Sequence, residues 1–202
     1  MIVITGTQRS GTSLMAKFFQ KNGIDVGSNF WDNRIEGGLE HPDICNFFRA
    51  YTGDPRFPFS TYWDSIYKQR FEDFSQLKST VGKFSYLTML PEFVKQWNKI
   101  RGNKDLFIVM QRDINKVVTS KNSRKEFLEE DSILLNQDIP TLTANYTESL
   151  ALFNRYGFRY IIVPFPIDDI KRTILEIETL TGITLSLSIW KDLFDSSKIH
   201  FK

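Results

Sequence analysis

Two glycines five residues apart, Gly6 and Gly11, enclose Thr7, Gln8, Arg9 and Ser10, and Thr12 and Ser13 follow. A short apolar run, Ile2 to Ile4, leads in, and Leu14, Phe18 and Phe19 continue at helical spacing. A strand-turn-helix with glycines in the turn lets backbone N–H groups converge on an anion, and the positive end of the helix dipole adds to their pull. Thr12 and Ser13 contribute hydroxyl donors, and Arg9 a cation from inside the loop. The chemistry indicated is the grip of a phosphate-like group. A Walker loop needs lysine at position 12, where this chain has threonine. The plainer alternative is a tight turn in which Ser10 or Thr12 caps the helix.

A second polar cluster follows the most apolar run of the chain, "LFIVM", residues 106 to 110. It reads Gln111-Arg112-Asp113 and continues to Ser120, eight residues beyond the arginine. With Arg112 at a strand end, Ser120 falls one or two turns into the next helix, so a planar guanidinium and a short hydroxyl can face one anion. The alternative is a solvated Arg112–Asp113 pair. A third cluster, "EGGLEHPD", sets Glu40 beside His41. Burial raises a carboxyl into the range of a usable base, and histidine titrates there unaided. The alternative is that both cap a helix beginning at Pro42. Asp32, Glu36 and Asp43 rank behind them, and neither His200 nor Cys45 is assigned a role.

These groups require a scaffold that brings them to one edge. Apolar runs predict strands at Ile2–Ile4, in "VGKFSYL" from Val81, at 106–110 and in "FRYIIVPF" from Phe158. Helical spacing predicts helices from Thr12 to the stop at Gly23, over Pro91–Ile100, Asn115–Arg124, Ala144–Tyr156 ended by Gly157, and Ile167–Leu180 ended by Gly182. A short helix is expected near Trp190. Strands alternating with helices predict an α/β fold, a central parallel sheet with helices on both faces, joined by right-handed crossovers. Ligands of such sheets bind beyond the carboxyl ends of the strands, where the polar clusters are predicted to lie. Residues 1–202 read as one domain, with a helical insertion at about 25–80.

"GTQRSGTSL" resembles the 5′-phosphosulfate loop of sulfotransferases that use 3′-phosphoadenosine 5′-phosphosulfate (PAPS), and Arg112 with Ser120 matches that family's 3′-phosphate pair. The resemblance is specific at residues 5–14 and 107–120. It implies a three-layer P-loop NTPase-like fold and transfer of a sulfuryl group from PAPS to a hydroxyl or amine by in-line displacement. It assigns Gln8, Arg9, Ser10, Gly11, Thr12 and Ser13 to the phosphosulfate, with Arg9 also stabilising charge in the transfer. Lys83 in "VGKFSYL" is similar to the strand lysine of the cytosolic branch, written there Lys-Thr-His. Here Phe84 and Ser85 follow it, and the histidine base is missing. Glu40 is similar in placement to the glutamate base of carbohydrate and bacterial members, and His41 is the other candidate.

Composition narrows the partners. The chain has 202 residues, a net charge of +2, one cysteine, two histidines and 14% aromatic residues, eighteen of them phenylalanine. That length is enough for a core without staples, and the composition is that of a globular domain. The small positive excess is far from a nucleic-acid footprint, and no metal-ligand spacing occurs. No apolar run approaches the ~20 residues of a membrane span, so a soluble, cytoplasmic protein is expected. The acceptor is expected to be a small molecule or carbohydrate, with Phe30, Trp31, Tyr51, Tyr62 and Trp63 as candidate lining. Two rival readings are a nucleotide or nucleoside kinase, which would explain Gly6 and Gly11 only, and a non-catalytic nucleotide-binding protein.

Overall fold

Successive side chains of a strand point to opposite faces, and a strand buried on both faces must be apolar at every position. β1 (Ile2–Gly6) meets that demand over Ile2–Ile4 and β3 (Leu106–Gln111) over Leu106–Met110. Ile2, Ile4, Leu106, Ile108 and Met110 enter one core, and Val3, Phe107 and Val109 enter another. The structure, a computed structural model, describes residues 1–7, 10–26, 41, 43–44, 72–78, 80–85, 87–122 and 138–194. Among these, β2 (Val81–Lys83) and β4 (Arg159–Pro164) complete a four-stranded parallel sheet in the order β2-β1-β3-β4.

Helices cover both faces. The first core is closed by α1 (Thr12–Lys21), α5 (Ile170–Thr181) and α6 (Leu187–Phe194), and the second by α2 (Pro91–Arg101) and α4 (Ile139–Tyr156). α3 (Ile114–Asn122) follows β3 and packs on α4. The many phenylalanines find their use in the second core. Phe107 lies 4.8 Å from Phe153, 5.0 Å from Phe158 and 5.5 Å from Trp97, ring centre to ring centre. Such inclined aromatic contacts fill a wide gap between sheet and helices with few side chains.

Three element boundaries differ from the sequence expectation. "VGKFSYL" is a strand only to Lys83, after which the chain turns into a 3₁₀ segment, Leu87–Met89. Its alternating apolar residues serve an edge strand and then that turn. α4 begins at Ile139 rather than Ala144, because the Asp138 side chain accepts from the Thr141 N–H and Pro140 suits a first turn. α5 begins at Ile170, capped by Asp169. The expected C-terminal glycines are in place: Gly157 and Gly182 adopt left-handed backbone at the ends of α4 and α5. Most of the expected insertion at 25–80 lies outside the described residues.

At the amino edge of the sheet one carboxylate gathers several elements. Asp105, fully buried, accepts 2.6 and 2.9 Å hydrogen bonds from the Arg101 guanidinium and a 3.0 Å bond from the Trp97 indole, and lies 3.2 Å from the Met1 α-amino group. Arg101 also donates to the carbonyls of Phe74 and Leu77. Burial alone would push the Asp105 carboxyl up, but Arg101, the amino group and Trp97 together hold it below the usual carboxylate range. The native state therefore binds fewer protons here than the unfolded chain. The stability Asp105 contributes is complete above the unfolded value of about 3.9 and is lost as pH falls through the lower folded value. Asp105→Ala leaves the buried guanidinium uncompensated, at an expected cost of about 3–5 kcal/mol in urea unfolding. Asp105→Asn should flatten the acid limb of the stability–pH curve; a limb unchanged from the parent protein would refute the assignment.

Candidate active site

The connection from β1 leads through α1 to β2 on one side of the sheet, and the chain then crosses back to β3 on the other. The loops after β1 and β3 therefore diverge, leaving a crevice at their carboxyl ends, the position where parallel sheets hold ligands. Gly6 pairs with Met110 across this edge, so Arg112 follows the strand two residues later, beside the turn that leads to α1. Gly6 has no side chain because the Met110 carbonyl and the Ser10 hydroxyl occupy the space where one would stand.

The turn is built from within. Ser10, fully buried, donates both its N–H and its hydroxyl to the Thr7 carbonyl. Gly11 caps α1 with left-handed backbone, φ 90°, and no side chain caps this helix. The cap expected from Ser10 or Thr12 is thus absent: Ser10 turns back to the loop, and the Thr12 hydroxyl meets the Ser85 hydroxyl at 3.0 Å. Here α1 differs from the helices begun by Asp113, Asp138 and Asp169, each of which accepts a main-chain N–H. No acidic residue stands in the first turn of α1. Among the described residues no carboxylate caps its leading amides and dipole.

Arg112 and Asp113 are not a solvated pair. Asp113 caps α3, accepting from the Lys116 N–H at 3.1 Å. The Arg112 guanidinium lies over the Phe165 ring, 5.9 Å from its centre. That same ring occupies the space next to Gly11, where a β-carbon would fall 2.5 Å from it. Phe165 is held in turn by its N–H, which donates to the Gln111 carbonyl at 2.6 Å. One aromatic ring thus connects the glycine turn to the arginine. Sequence reading passed over it, since an aromatic residue closing "FRYIIVPF" reads as core; its place at a strand's carboxyl end was the available signal.

On the other flank, Lys83 pairs with Ile4 and is buried, only 3% exposed. Val81, two residues earlier on the same face, belongs to the α1 core, so Lys83 shares the α1 side with Ser85 beyond it. The His41 N–H donates to the Lys83 carbonyl at 2.9 Å, which brings the imidazole-bearing segment alongside β2. Burial lowers the His41 pKa below its ordinary value, as does Arg101, and together they outweigh the opposing charges of Asp43 and Asp25.

The structure thus gathers Ser10, Gly11, Thr12, Lys83 and Arg112 at one edge, with Ser13 in the first turn of α1; the His41 ring packs instead against Gly82, on the opposite face of β2 from Lys83, within reach of the Arg101 charge at the amino edge. Ser120 belongs to α3, as its spacing predicted. Gln8, Arg9, Glu40, Asp32, Glu36, Cys45 and His200 lie outside the described residues, as do Phe30, Trp31, Tyr51, Tyr62 and Trp63. Among the described residues, no group of three His, Cys, Asp or Glu side chains is placed to hold a metal ion, and no helix is long and apolar enough to cross a membrane. Comparison with protein-family models and with curated proteins finds no match.

Two outcomes follow from this geometry. Gly11→Ala combines a strained left-handed backbone with a collision against Phe165, and should cost about 1–3 kcal/mol. In a Phe165→Ala background the collision is gone, so the Gly11→Ala penalty should shrink to the backbone part; strict additivity in the double-mutant cycle would disprove the contact. Because His41 takes up a proton less readily when folded than when unfolded, its stabilising contribution is complete above the unfolded value of about 6.5 and declines as pH falls toward the folded one. The His41 ring resonances, identified by their loss in His41→Gln, should titrate with a midpoint below the ordinary histidine value; a midpoint at or above it would refute the burial.

Proposed function

We propose that this chain is a PAPS-dependent sulfotransferase on a three-layer P-loop NTPase-like fold. The observation that carries the reading is the paired edge: the uncapped Gly11–Thr12 start of α1 and Arg112 at the end of the adjacent parallel strand, joined through Phe165. Two anion-facing groups from neighbouring strands suit a donor with a phosphosulfate at one end and a separate phosphate at the other. In this assignment Gln8, Arg9, Ser10, Gly11, Thr12 and Ser13 bind the 5′-phosphosulfate, and Arg112 and Ser120 bind the 3′-phosphate. The Thr12 hydroxyl, tied to Ser85, is oriented by that bond, while the amides of the first turn supply the remaining donors.

In the transfer the acceptor oxygen, or nitrogen, forms a new bond to sulfur. The bond from sulfur to the bridging phosphate oxygen breaks, and its electron pair leaves with adenosine 3′,5′-bisphosphate. The acceptor's proton passes to the base, Glu40 in this assignment, with His41 next to it as the alternative acceptor. Such displacements place little covalent demand on the protein and much on alignment and charge. Arg9, the α1 amides and Lys83 meet the charge developing on the peripheral oxygens.

Calorimetry with adenosine 3′,5′-bisphosphate tests the donor site. Micromolar binding in the absence of Mg²⁺ is expected, weakened roughly 10- to 100-fold by Arg112→Ala, the range set by charge-assisted hydrogen bonds. Tighter binding of ATP with Mg²⁺ would instead establish the kinase reading. Nucleotide binding with no sulfuryl transfer to any acceptor would leave a non-catalytic binding protein.

A further inference from the structure

A hydroxyl buried without a hydrogen-bond partner is costly, and native folds leave few of them. Five gather about one helix. The side-chain hydroxyls of Thr5, Thr7, Thr88, Tyr146 and Ser149 are cut off from solvent and have no partner among the described residues. Tyr146 and Ser149 lie one turn apart on the inner face of α4. Thr88 lies in the 3₁₀ segment, which packs against both β1 and α4. Thr5 stands on β1 two residues beyond Val3, and so on the same face, toward the core that α4 closes. Thr7 borders a cavity together with α4. Over this stretch the seam between α4 and the sheet is polar, and its hydroxyls are satisfied neither by each other nor by water.

The two halves of α4 are held differently. Toward its carboxyl end Phe153 is fully buried, its ring 4.8 Å from Phe107, 5.3 Å from Phe158 and 5.5 Å from Tyr160, and Leu152 is buried in the same core. Toward its amino end Leu142 packs with Met89 and Val117 in a small separate cluster, and the next inward positions are Tyr146 and Ser149. Apolar surfaces that part lose their burial, whereas orphan hydroxyls that part gain from water the bonds the fold withholds. Separation from the sheet is therefore cheaper over residues 139–149 than over 152–156. We propose that residues 139–149 form a lid, which lifts from β1 and the 3₁₀ segment on a hinge at 150–151 while the aromatic anchor stays seated. What it covers is the crevice. Thr143, Thr147 and Leu150 of α4 line a cavity of about 360 Å³ with Gln111, Arg112 and Ile114, so raising the lid widens the space beside Arg112 and lets water reach the seam. Elements that open over ligand sites are drawn from the least stable parts of a fold, and the orphan hydroxyls make this half of α4 such a part. The inference stands apart from the reaction proposed above and holds for any ligand of the crevice.

Thiol labelling of single-cysteine variants tests the lid, in a Cys45→Ala background and with a chromogenic disulfide reagent. Ser149→Cys on the lid and Thr88→Cys across the seam should label at like rates, at least ~10-fold faster than Leu152→Cys on the anchor. Their rates should also rise less steeply with urea, because opening a part exposes less surface than unfolding the whole. Circular dichroism verifies that each variant folds, and Val94→Cys, buried in the same core, replaces Leu152→Cys if that one does not. Tyr146→Phe removes an orphan hydroxyl that only the closed lid leaves unsatisfied, and should slow labelling at both seam positions by about 5-fold. Equal rates and equal urea dependence at seam and anchor would mean global unfolding alone and overturn the lid. Labelling of Ser149→Cys with Thr88→Cys protected would overturn it too, since the helix would then fray without leaving the 3₁₀ segment. Labelling unchanged or quickened by Tyr146→Phe would remove the unsatisfied hydroxyl as the cause, and the proposal with it.

Discussion

The register of this sheet depends on a carboxylate at the edge opposite the site. Asp105 stands immediately before β3, is gripped by the Arg101 fork and the Trp97 indole of α2, and faces the amino group that precedes β1. Sheet register has a period of two, so a slip by one residue exchanges the two cores. Pinning the starts of β1 and β3 side by side, with the Leu106 N–H on the Met1 carbonyl, fixes what happens five and six residues later. There the same register sets Gly6 against Met110 and delivers Arg112 beside the glycine turn. A buried charge cluster at one edge of the sheet thus sets the position of Arg112 and the glycine turn at the other.

The crevice is composed of groups with different obligations. Ser10, Gly11 and Phe165 shape the turn, while Asp113 caps a helix. Thr12 and Ser85 tie the start of α1 to the end of β2, where Lys83 and His41 meet. The α1 side of the edge carries the glycine turn and the buried lysine; the α4 side carries the buried hydroxyls of Thr5, Thr7, Thr88, Tyr146 and Ser149, which have no hydrogen-bond partner among the described residues. A fold tolerates a strained turn, an uncapped helix and orphan hydroxyls only when the rest of the core outweighs them, and such departures from local rules are commonest where a protein binds something.

Much of this was legible in the residues. β1 and β3 stood out because strands buried on both faces need uninterrupted apolar runs, and the glycines at 157 and 182 marked helix ends because left-handed backbone is costly to other residues. The edge strand β2 was read too long, since its apolar residues continue into a turn that uses them equally well. The start of α4 was read late, although Asp138 with Pro140 is a helix-opening pair. That Arg112 follows a strand, that Lys83 lies in one and that the glycine turn opens a helix was expected from type and spacing. Phe165 and the orphan hydroxyls of Tyr146 and Ser149 were not, because their meaning arises only from contacts between distant segments. Nothing in a sequence distinguishes a buried threonine that is satisfied from one that is not.

The residues that flank β2 also finish the sheet. β2 is three residues long, and its outward backbone groups are already in use: the Val81 N–H donates to the Asp25 carbonyl, and the Lys83 carbonyl accepts from His41. An exposed strand edge is a template for a neighbouring molecule, and this one is short and covered. At the opposite border β4 presents Arg159, and Pro164 has no N–H to offer. Sheet-to-sheet self-association is therefore opposed at both borders, by an occupied ladder on one side and by a charge and a missing donor on the other.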